Sequence, residues 1–146
     1  MKERLGRLLA MTGKVVRENF DQDLAAVGSS LNTYVVLRTI DAGAGMSQRQ
    51  LAATLGIEGP TMTHHLDRLA ADGLILRVRD PGDRRAYHVE LTEAGRAHLE
   101  RVEVYAIELD RDFRSLFTPA EVELLTELLT RIRDRYQKEA DVNATR

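Results

Sequence analysis

The chain has 146 residues and a formal net charge of −2 at pH 7, which suggests one domain with an ordinary core. Apolar residues make up 43%, charged residues 30% and aromatic residues 5%, and the lack of cysteine excludes disulfides and thiolate metal sites. No apolar run approaches the roughly 20 residues of a membrane span, and the N-terminus lacks the apolar stretch of a signal peptide. We therefore expect a cytoplasmic protein. Its small net charge does not exclude nucleic-acid binding, because the local distribution of charge decides that.

Apolar residues at helical spacing predict two helices in the first third of the chain. The first covers residues 4–24, and a Gly-Ser-Ser sequence at residues 28–30 ends it. The second begins near Asn32, carries Val36, Leu37 and Ile40 on one face, and ends in the glycine-containing stretch 41–45.

The next segment has the helix start and stop signals of a helix-turn-helix. Ser47 and Gln50 have the spacing of a capping box, and the short helix that they open ends at Gly56. Pro60 suits the first turn of a second helix, which ends near Gly73. A short capped helix, a tight turn and a second helix form this motif.

A β-hairpin is predicted after the helix-turn-helix. Residues 74–79 and 85–91 have the pattern of strands, and the turn at residues 80–83 has proline and glycine where a type II turn favours them. We refer to the hairpin between residues 74 and 91 as the wing.

Two further helices complete the predicted chain. Thr92 caps a long helix, and Thr118 and Glu121 form a second capping box that opens the last one. The apolar residues expected to face inward on the last helix are Leu125, Leu128, Leu129, Ile132 and Tyr136. The fold class is therefore mainly α with a small β-hairpin.

Two adjacent histidines lie on the second helix of the helix-turn-helix. At about 100° per residue, the apolar face of this helix consists of Met62, Leu66, Leu69 and Ala70. His64 falls nearly opposite that face, and His65 falls on its flank. Neighbouring positions diverge too far for the two rings to share a metal ion easily, so we expect no metal site. Two interpretations of this helix face remain open: it is either solvated or a surface that binds a partner.

Several side chains on this helix suit DNA recognition. Thr61, Thr63, His64 and Arg68 carry hydrogen-bonding groups that can reach base edges in a major groove. Four arginines cluster on or beside the wing: Arg77, Arg79, Arg84 and Arg85. A basic hairpin tip can enter a minor groove, and we expect Asp83 to orient the guanidinium of Arg84. The alternative is a solvated basic hairpin that only covers the core.

Four stretches carry a family resemblance: Leu51-Ala-x-x-Leu-Gly-Ile57, Pro60-Thr-Met-Thr-x-x-Leu-Asp-x-Leu-x-x-Asp-Gly-Leu-Ile75, Asp80-x-x-Asp-Arg-Arg-Ala86 and Val89-x-Leu-Thr-x-x-Gly95. They resemble the MarR family of winged helix-turn-helix regulators, in particular its SlyA-type branch. The close match covers roughly residues 31–100.

The resemblance implies a winged helix-turn-helix core flanked by N- and C-terminal dimerisation helices, working as a homodimer on double-stranded DNA. Residues 1–30 and 100–146 would form the helical dimerisation domain, and residues 31–99 the DNA-binding domain. The positions implied to lie on DNA are Pro60, Thr61, Thr63, His64, Arg68, Asp83, Arg84 and Arg85.

The resemblance also implies a small aromatic acid as an effector. Tyr34 and Arg38 are four residues apart on one side of the second helix, where both can meet a carboxylate. By resemblance, Lys14 and His65 would complete the pocket. The alternative is a surface Tyr–Arg pair without a ligand.

The leading hypothesis is therefore a ligand-responsive transcription regulator, a repressor acting on a pseudo-palindromic operator. The alternative is a winged-helix module that binds protein and not DNA. We expect no enzyme and no cofactor, because the sequence has no Gly-rich phosphate loop, His-Glu-x-x-His pattern or Gly-x-Ser-x-Gly elbow.

Overall fold

The computed structural model describes residues 4–144, with the side chains of residues 4–137. Within that range the chain forms six helices and one two-stranded antiparallel sheet. The elements in chain order are α1 (Leu5–Ala25), α2 (Leu31–Ala42), α3 (Gln48–Leu55), α4 (Gly59–Ala71), β1 (Ile75–Arg79), β2 (Tyr87–Leu91), α5 (Glu93–Ser115) and α6 (Pro119–Ala144). The predicted fold class and element order are confirmed.

The helix ends are set by the side chains that the sequence places there. Ser47 accepts a hydrogen bond from the Gln50 N–H, and the Gln50 side chain accepts one from the Ser47 N–H, so the predicted capping box forms. Gly56 ends α3 in the left-handed region at φ 62°. Thr92 caps α5 by accepting the Gly95 N–H. These bonds satisfy backbone groups that the helices leave unpaired.

One apolar core holds the helix-turn-helix and the wing together. Val36, Leu37 and Ile40 of α2 lie at its centre, as predicted. It is completed from α3, α4, both strands and the start of α5 by Leu51, Ala52, Met62, Leu66, Leu69, Ile75, Val89, Leu91 and Leu99. Its position behind α4 leaves the opposite side of that helix free.

A second, smaller core joins α1, α2 and α5. Phe20, Leu24 and Val102 are buried in it. Tyr34 packs edge-on against Phe20, with the ring centroids 6.0 Å apart. This cluster fixes α2 between the DNA-binding half of the chain and the outer helices.

The turn of the wing differs from the prediction. The glycines with positive φ among the described residues are Gly28, Gly45, Gly56 and Gly73, so Gly82 lacks the conformation that a type II turn requires. Asp80 instead accepts the Gly82 N–H through Oδ1 at 2.7 Å. The hydrogen-bonded turn lies later, where the Ala86 N–H donates to the Asp83 carbonyl at 3.0 Å. The predicted type II turn is wrong because the Asp80 carboxylate accepts the Gly82 N–H and stabilises another backbone geometry.

The expected inward face of α6 is also wrong for the single chain. No other element of the described chain packs extensively on α6, although Gln137 Nε2 donates to the Thr54 carbonyl at 3.5 Å. Its apolar side chains therefore stay exposed, among them Leu125, Leu128, Leu129 and Tyr136. Apolar residues of α1 are exposed as well: Leu5, Leu8, Leu9, Met11 and Val15.

None of the helices in the described range is long and apolar enough to span a bilayer.

Candidate nucleic-acid interface

The two faces of α4 are those predicted from the sequence. Met62, Leu66 and Leu69 are buried. The exposed residues are Pro60, Thr61, Thr63, His64 and Arg68. Arg68 forms no ion pair with any residue that the structure describes. The core therefore fixes α4 while leaving a polar face with an available positive charge.

His64 and His65 point in different directions. Their ring centroids are 6.3 Å apart and the ring planes are inclined by 50°. His64 is exposed, whereas His65 is half-buried beside α2. No group of three metal-ligating side chains occurs in the described part of the chain. The two residues thus belong to different surfaces, His64 to the polar face and His65 to the boundary with α2.

Gln48 is a residue of this surface that the sequence did not single out. It is the first residue of α3, and its Nε2 donates a hydrogen bond to Thr63 Oγ1 of α4. Its only local signal was its place directly after the cap residue Ser47, at the end of a helix that borders α4.

Two wing arginines are free to meet a partner. Arg84 and Arg85 are exposed, and neither forms an ion pair with a described residue. The expected pairing of Asp83 with Arg84 is wrong, because Asp83 Oδ1 accepts the backbone N–H of Arg85 at 2.9 Å. Asp83 therefore shapes the turn and leaves both guanidinium groups unpaired.

The other two wing arginines have partners within the protein. Arg77 Nη2 lies 2.7 Å from Asp67 Oδ1 of α4. Arg79 Nε donates to the Tyr87 hydroxyl at 3.0 Å, and its guanidinium lies 5.6 Å from the centre of that ring. All four arginines are exposed, but Arg77 and Arg79 are paired within the protein whereas Arg84 and Arg85 are not.

The wing is also tied to the start of the helix-turn-helix. Ser47 forms an isolated antiparallel bridge with His88, and the Val89 N–H donates to the Met46 carbonyl at 2.9 Å. A single bridge thus joins the segment before α3 to β2. It couples the wing to α3 as well as to α4.

A cavity of about 170 Å³ lies between the N-terminus of α2 and the second half of α4. Its polar lining residues are Ser29, Ser30, Asn32, Thr33, His65, Arg68 and Asp72. Of the four predicted effector residues, His65 lines this cavity, whereas Lys14, Tyr34 and Arg38 do not.

The remaining predicted effector residues are already engaged. Burial raises the pKa of the Tyr34 hydroxyl, and so does the nearby carboxylate of Glu103. Arg38 contacts Asp41 at 3.3 Å, and Lys14 Nζ lies 3.7 Å from Glu18. Tyr34 and Arg38 are close enough to interact, but Glu103 puts a negative charge beside them. The sequence missed Glu103 because it lies on α5, far along the chain.

Known proteins of similar sequence and structure help to interpret the surface formed by α4 and the wing. The model of the MarR family matches residues 30–87. A putative transcriptional regulatory protein for the hcr operon of Thauera aromatica is 30% identical over 117 residues, which cover 80% of this chain and 69% of that relative. The chain belongs to the MarR family.

Two solved structures share most of this architecture. The transcriptional repressor CouR, bound to a 23-mer DNA duplex, is 33% identical with a TM-score of 0.83, and the match covers 89% of this chain and 92% of CouR. BpsR of Bordetella bronchiseptica, studied for the regulation of its DNA binding by 6-hydroxynicotinic acid, is 26% identical with a TM-score of 0.83. That match covers 90% of this chain and 94% of BpsR.

This MarR-family protein is a transcription regulator that binds DNA. The comparisons therefore favour the DNA-binding hypothesis over a winged-helix module that binds only protein.

Proposed function

We propose that this MarR-family protein is a homodimeric repressor. Each subunit places α4 in a major groove and its wing on the adjacent minor groove of a pseudo-palindromic operator. A small anionic aromatic effector releases the DNA. The observation that carries the proposal is the exposed polar face of α4 beside two unpaired wing arginines, Arg84 and Arg85.

The proposed DNA contacts fall into two chemical groups, one on α4 and one on the wing. Thr61, Thr63, His64 and Arg68 offer groups that match base edges, while Pro60 lies at the entry of the helix. Arg84 and Arg85 are suited to the negative potential of a minor groove, and Asp83 holds the turn that presents them. The shared apolar core, together with the ion pair of Arg77 with Asp67, holds the wing beside α4, so both elements can approach one face of the duplex.

The proposed dimer is supported by the apolar surface that the single chain leaves uncovered. Leu128 and Leu129 of α6 are each 42% exposed, and Leu5 of α1 is 73% exposed. Large contiguous apolar patches on a soluble domain mark interaction surfaces. A twofold pair of chains would cover these faces and set two α4 helices about 34 Å apart, the spacing of successive major grooves. The proposed dimerisation domain is residues 1–30 and 100–146, of which 1–3 and 145–146 lie outside the described range, and residues 31–99 are the proposed DNA-binding domain.

The proposed effector site centres on His65. The cavity beside it contacts both α2 and α4, so an occupied cavity would change the angle of α4. Arg68 lines the same cavity and can pair with a carboxylate. Lys14, Tyr34 and Arg38 belong to the site only if the ligand displaces the contact of Tyr34 with Glu103. The regulation of BpsR by 6-hydroxynicotinic acid supports an anionic aromatic effector.

A mobility-shift titration against duplex DNA tests the proposal. Arg84→Ala and Arg85→Ala should each weaken binding and lower the slope of log affinity against log salt by about 1, because each removes one phosphate or groove contact. The matched control is Arg111→Ala, which removes an exposed arginine of α5 far from the wing in sequence. Its salt slope should equal that of the wild type.

If the Arg84→Ala and Arg85→Ala variants shift duplex DNA as well as the wild type does, the wing does not contact DNA. The effector part is tested by adding a panel of small aromatic acids, 6-hydroxynicotinic acid included, to the preformed complex. Release by a panel member that His65→Gln abolishes supports the site, and release that His65→Gln leaves intact contradicts it.

A further inference from the structure

A hydrogen-bond chain crosses the helix-turn-helix at the surface proposed to meet DNA. Gln48 Nε2, at the start of α3, donates to Thr63 Oγ1 in α4. Thr63 Oγ1 in turn donates to the carbonyl of Gly59, one turn earlier, at 3.1 Å. Thr63 is exposed and Gln48 is half-buried. The hydroxyl of Thr63 is therefore already oriented before any partner arrives.

These two hydrogen bonds determine which further hydrogen bonds the Thr63 hydroxyl can form. A threonine hydroxyl has one hydrogen to donate and two lone pairs to accept with. Its hydrogen is directed to Gly59, and one lone pair receives the N–H of Gln48. One lone pair remains, so Thr63 faces the solvent as an acceptor only.

We propose that Gln48 is a positioning residue that sets the base preference of Thr63. The proposal rests on the proposed placement of α4 in the major groove. An acceptor-only hydroxyl favours bases that present a donor there, namely the N6 amino group of adenine or the N4 amino group of cytosine. It disfavours guanine O6 and thymine O4, which are acceptors themselves.

Gln48 makes this preference stricter because its hydrogen bond helps to hold the Thr63 side chain in one rotamer. A turn about the Cα–Cβ bond that presents the hydroxyl hydrogen to a base breaks the bonds to both Gln48 and Gly59. Without Gln48 the same turn breaks only the bond to Gly59, so donation to guanine O6 or thymine O4 costs less. The discrimination at stake is that of one hydrogen bond, about 2- to 10-fold in affinity.

Selection of bound sites from a random pool of DNA duplexes tests the proposed role of Gln48. The proteins compared are wild type, Gln48→Met, Thr63→Val and the double variant. The wild type should prefer adenine or cytosine at one position of each half-site. Gln48→Met and Thr63→Val should each relax that preference by about 2- to 10-fold. The double variant should relax it no further than Thr63→Val alone, because Gln48 acts through Thr63. Thr63→Ser, which keeps the hydroxyl, should retain the base preference of the wild type.

Gln50→Met is the matched control. Gln50 lies on the same helix, but its side chain accepts the Ser47 N–H in the capping box. This variant should lower the stability of the fold while leaving the base preference unchanged.

The outcomes are distinguishable. If Gln48→Met weakens binding evenly for all sequences and keeps the wild-type preference, Gln48 contacts only the DNA backbone and the inference is overturned while the proposed function stands. If the wild type selects no site at all, the proposed function fails and this inference fails with it.

Discussion

Arg77 of β1 and Asp67 of α4 form an ion pair with 2.7 Å between Nη2 and Oδ1. They are ten residues apart in sequence and belong to the two elements proposed to meet DNA. The pair links β1 of the wing to α4. It also removes one of the four wing arginines from the set that is free to bind a partner.

The Arg77–Asp67 pair should contribute little to global stability. Because the Asp67 side chain is 60% exposed, we expect a coupling of about 0.2–1 kcal/mol between Arg77→Ala and Asp67→Asn. A double-mutant cycle by urea unfolding measures it, and the coupling should shrink in high salt. A coupling well above this range that does not respond to salt would contradict the prediction.

Gly95 should not tolerate a side chain. A Cβ built at Gly95 would lie 1.9 Å from the Leu74 carbonyl oxygen, which also accepts the Thr92 N–H at 3.0 Å. Gly95→Ala must push α5 away from the start of the wing, so we expect a loss of about 2–3 kcal/mol or more in the free energy of unfolding. Chemical denaturation measures this loss. The neighbouring exposed variant Ala94→Ser should stay within about 0.5 kcal/mol of wild type.

The uncovered face of α6 should hold the proposed dimer together. Replacing Leu128 and Leu129 by glutamine removes apolar area that association would bury, so the double variant should sediment as a monomer at concentrations where the wild type is a dimer. Leu76 of the wing is the matched control, because it has the same 42% exposure. Leu76→Gln should remain dimeric, and a wild type that sediments as a monomer would contradict the proposed assembly.

His98 should make the fold sensitive to acid. Burial lowers the pKa of His98 in the folded protein, and Arg101 lowers it further, while Asp72 opposes the shift. Its Nε2 is buried without a hydrogen-bond partner among the described residues. As the pH falls through about 6.5, the unfolded chain takes up a proton that the folded chain refuses, so stability is lost on the acid side.

The melting temperature of the wild type should therefore fall more between pH 7.5 and 5.5 than that of His98→Gln. The exposed His64 provides the control, and His64→Gln should show the same fall as the wild type. An equal fall in His98→Gln and wild type would show that another group causes the acid sensitivity.

The local features of the fold followed from the sequence. The helix ends are determined by short-range chemistry, as at Ser47, Gly56 and Thr92, where a cap satisfies backbone groups within a few residues. The buried face of α4 followed from the helical spacing of Met62, Leu66 and Leu69. The turn of the wing was the local exception, because proline and glycine fit a type II turn but the Asp80 side chain stabilised another geometry.

Only the tertiary structure decided which polar side chains are free. Arg77 is paired and Arg84 is not, Gln48 orients Thr63, and Glu103 engages Tyr34. Each of these contacts joins residues between 10 and 69 positions apart, so no spacing rule along one helix or strand predicts it. The sequence determined which residues line each face, whereas the packing of α3, α4, α5 and the wing determined which of their charges and hydrogen-bonding groups remain available to a partner.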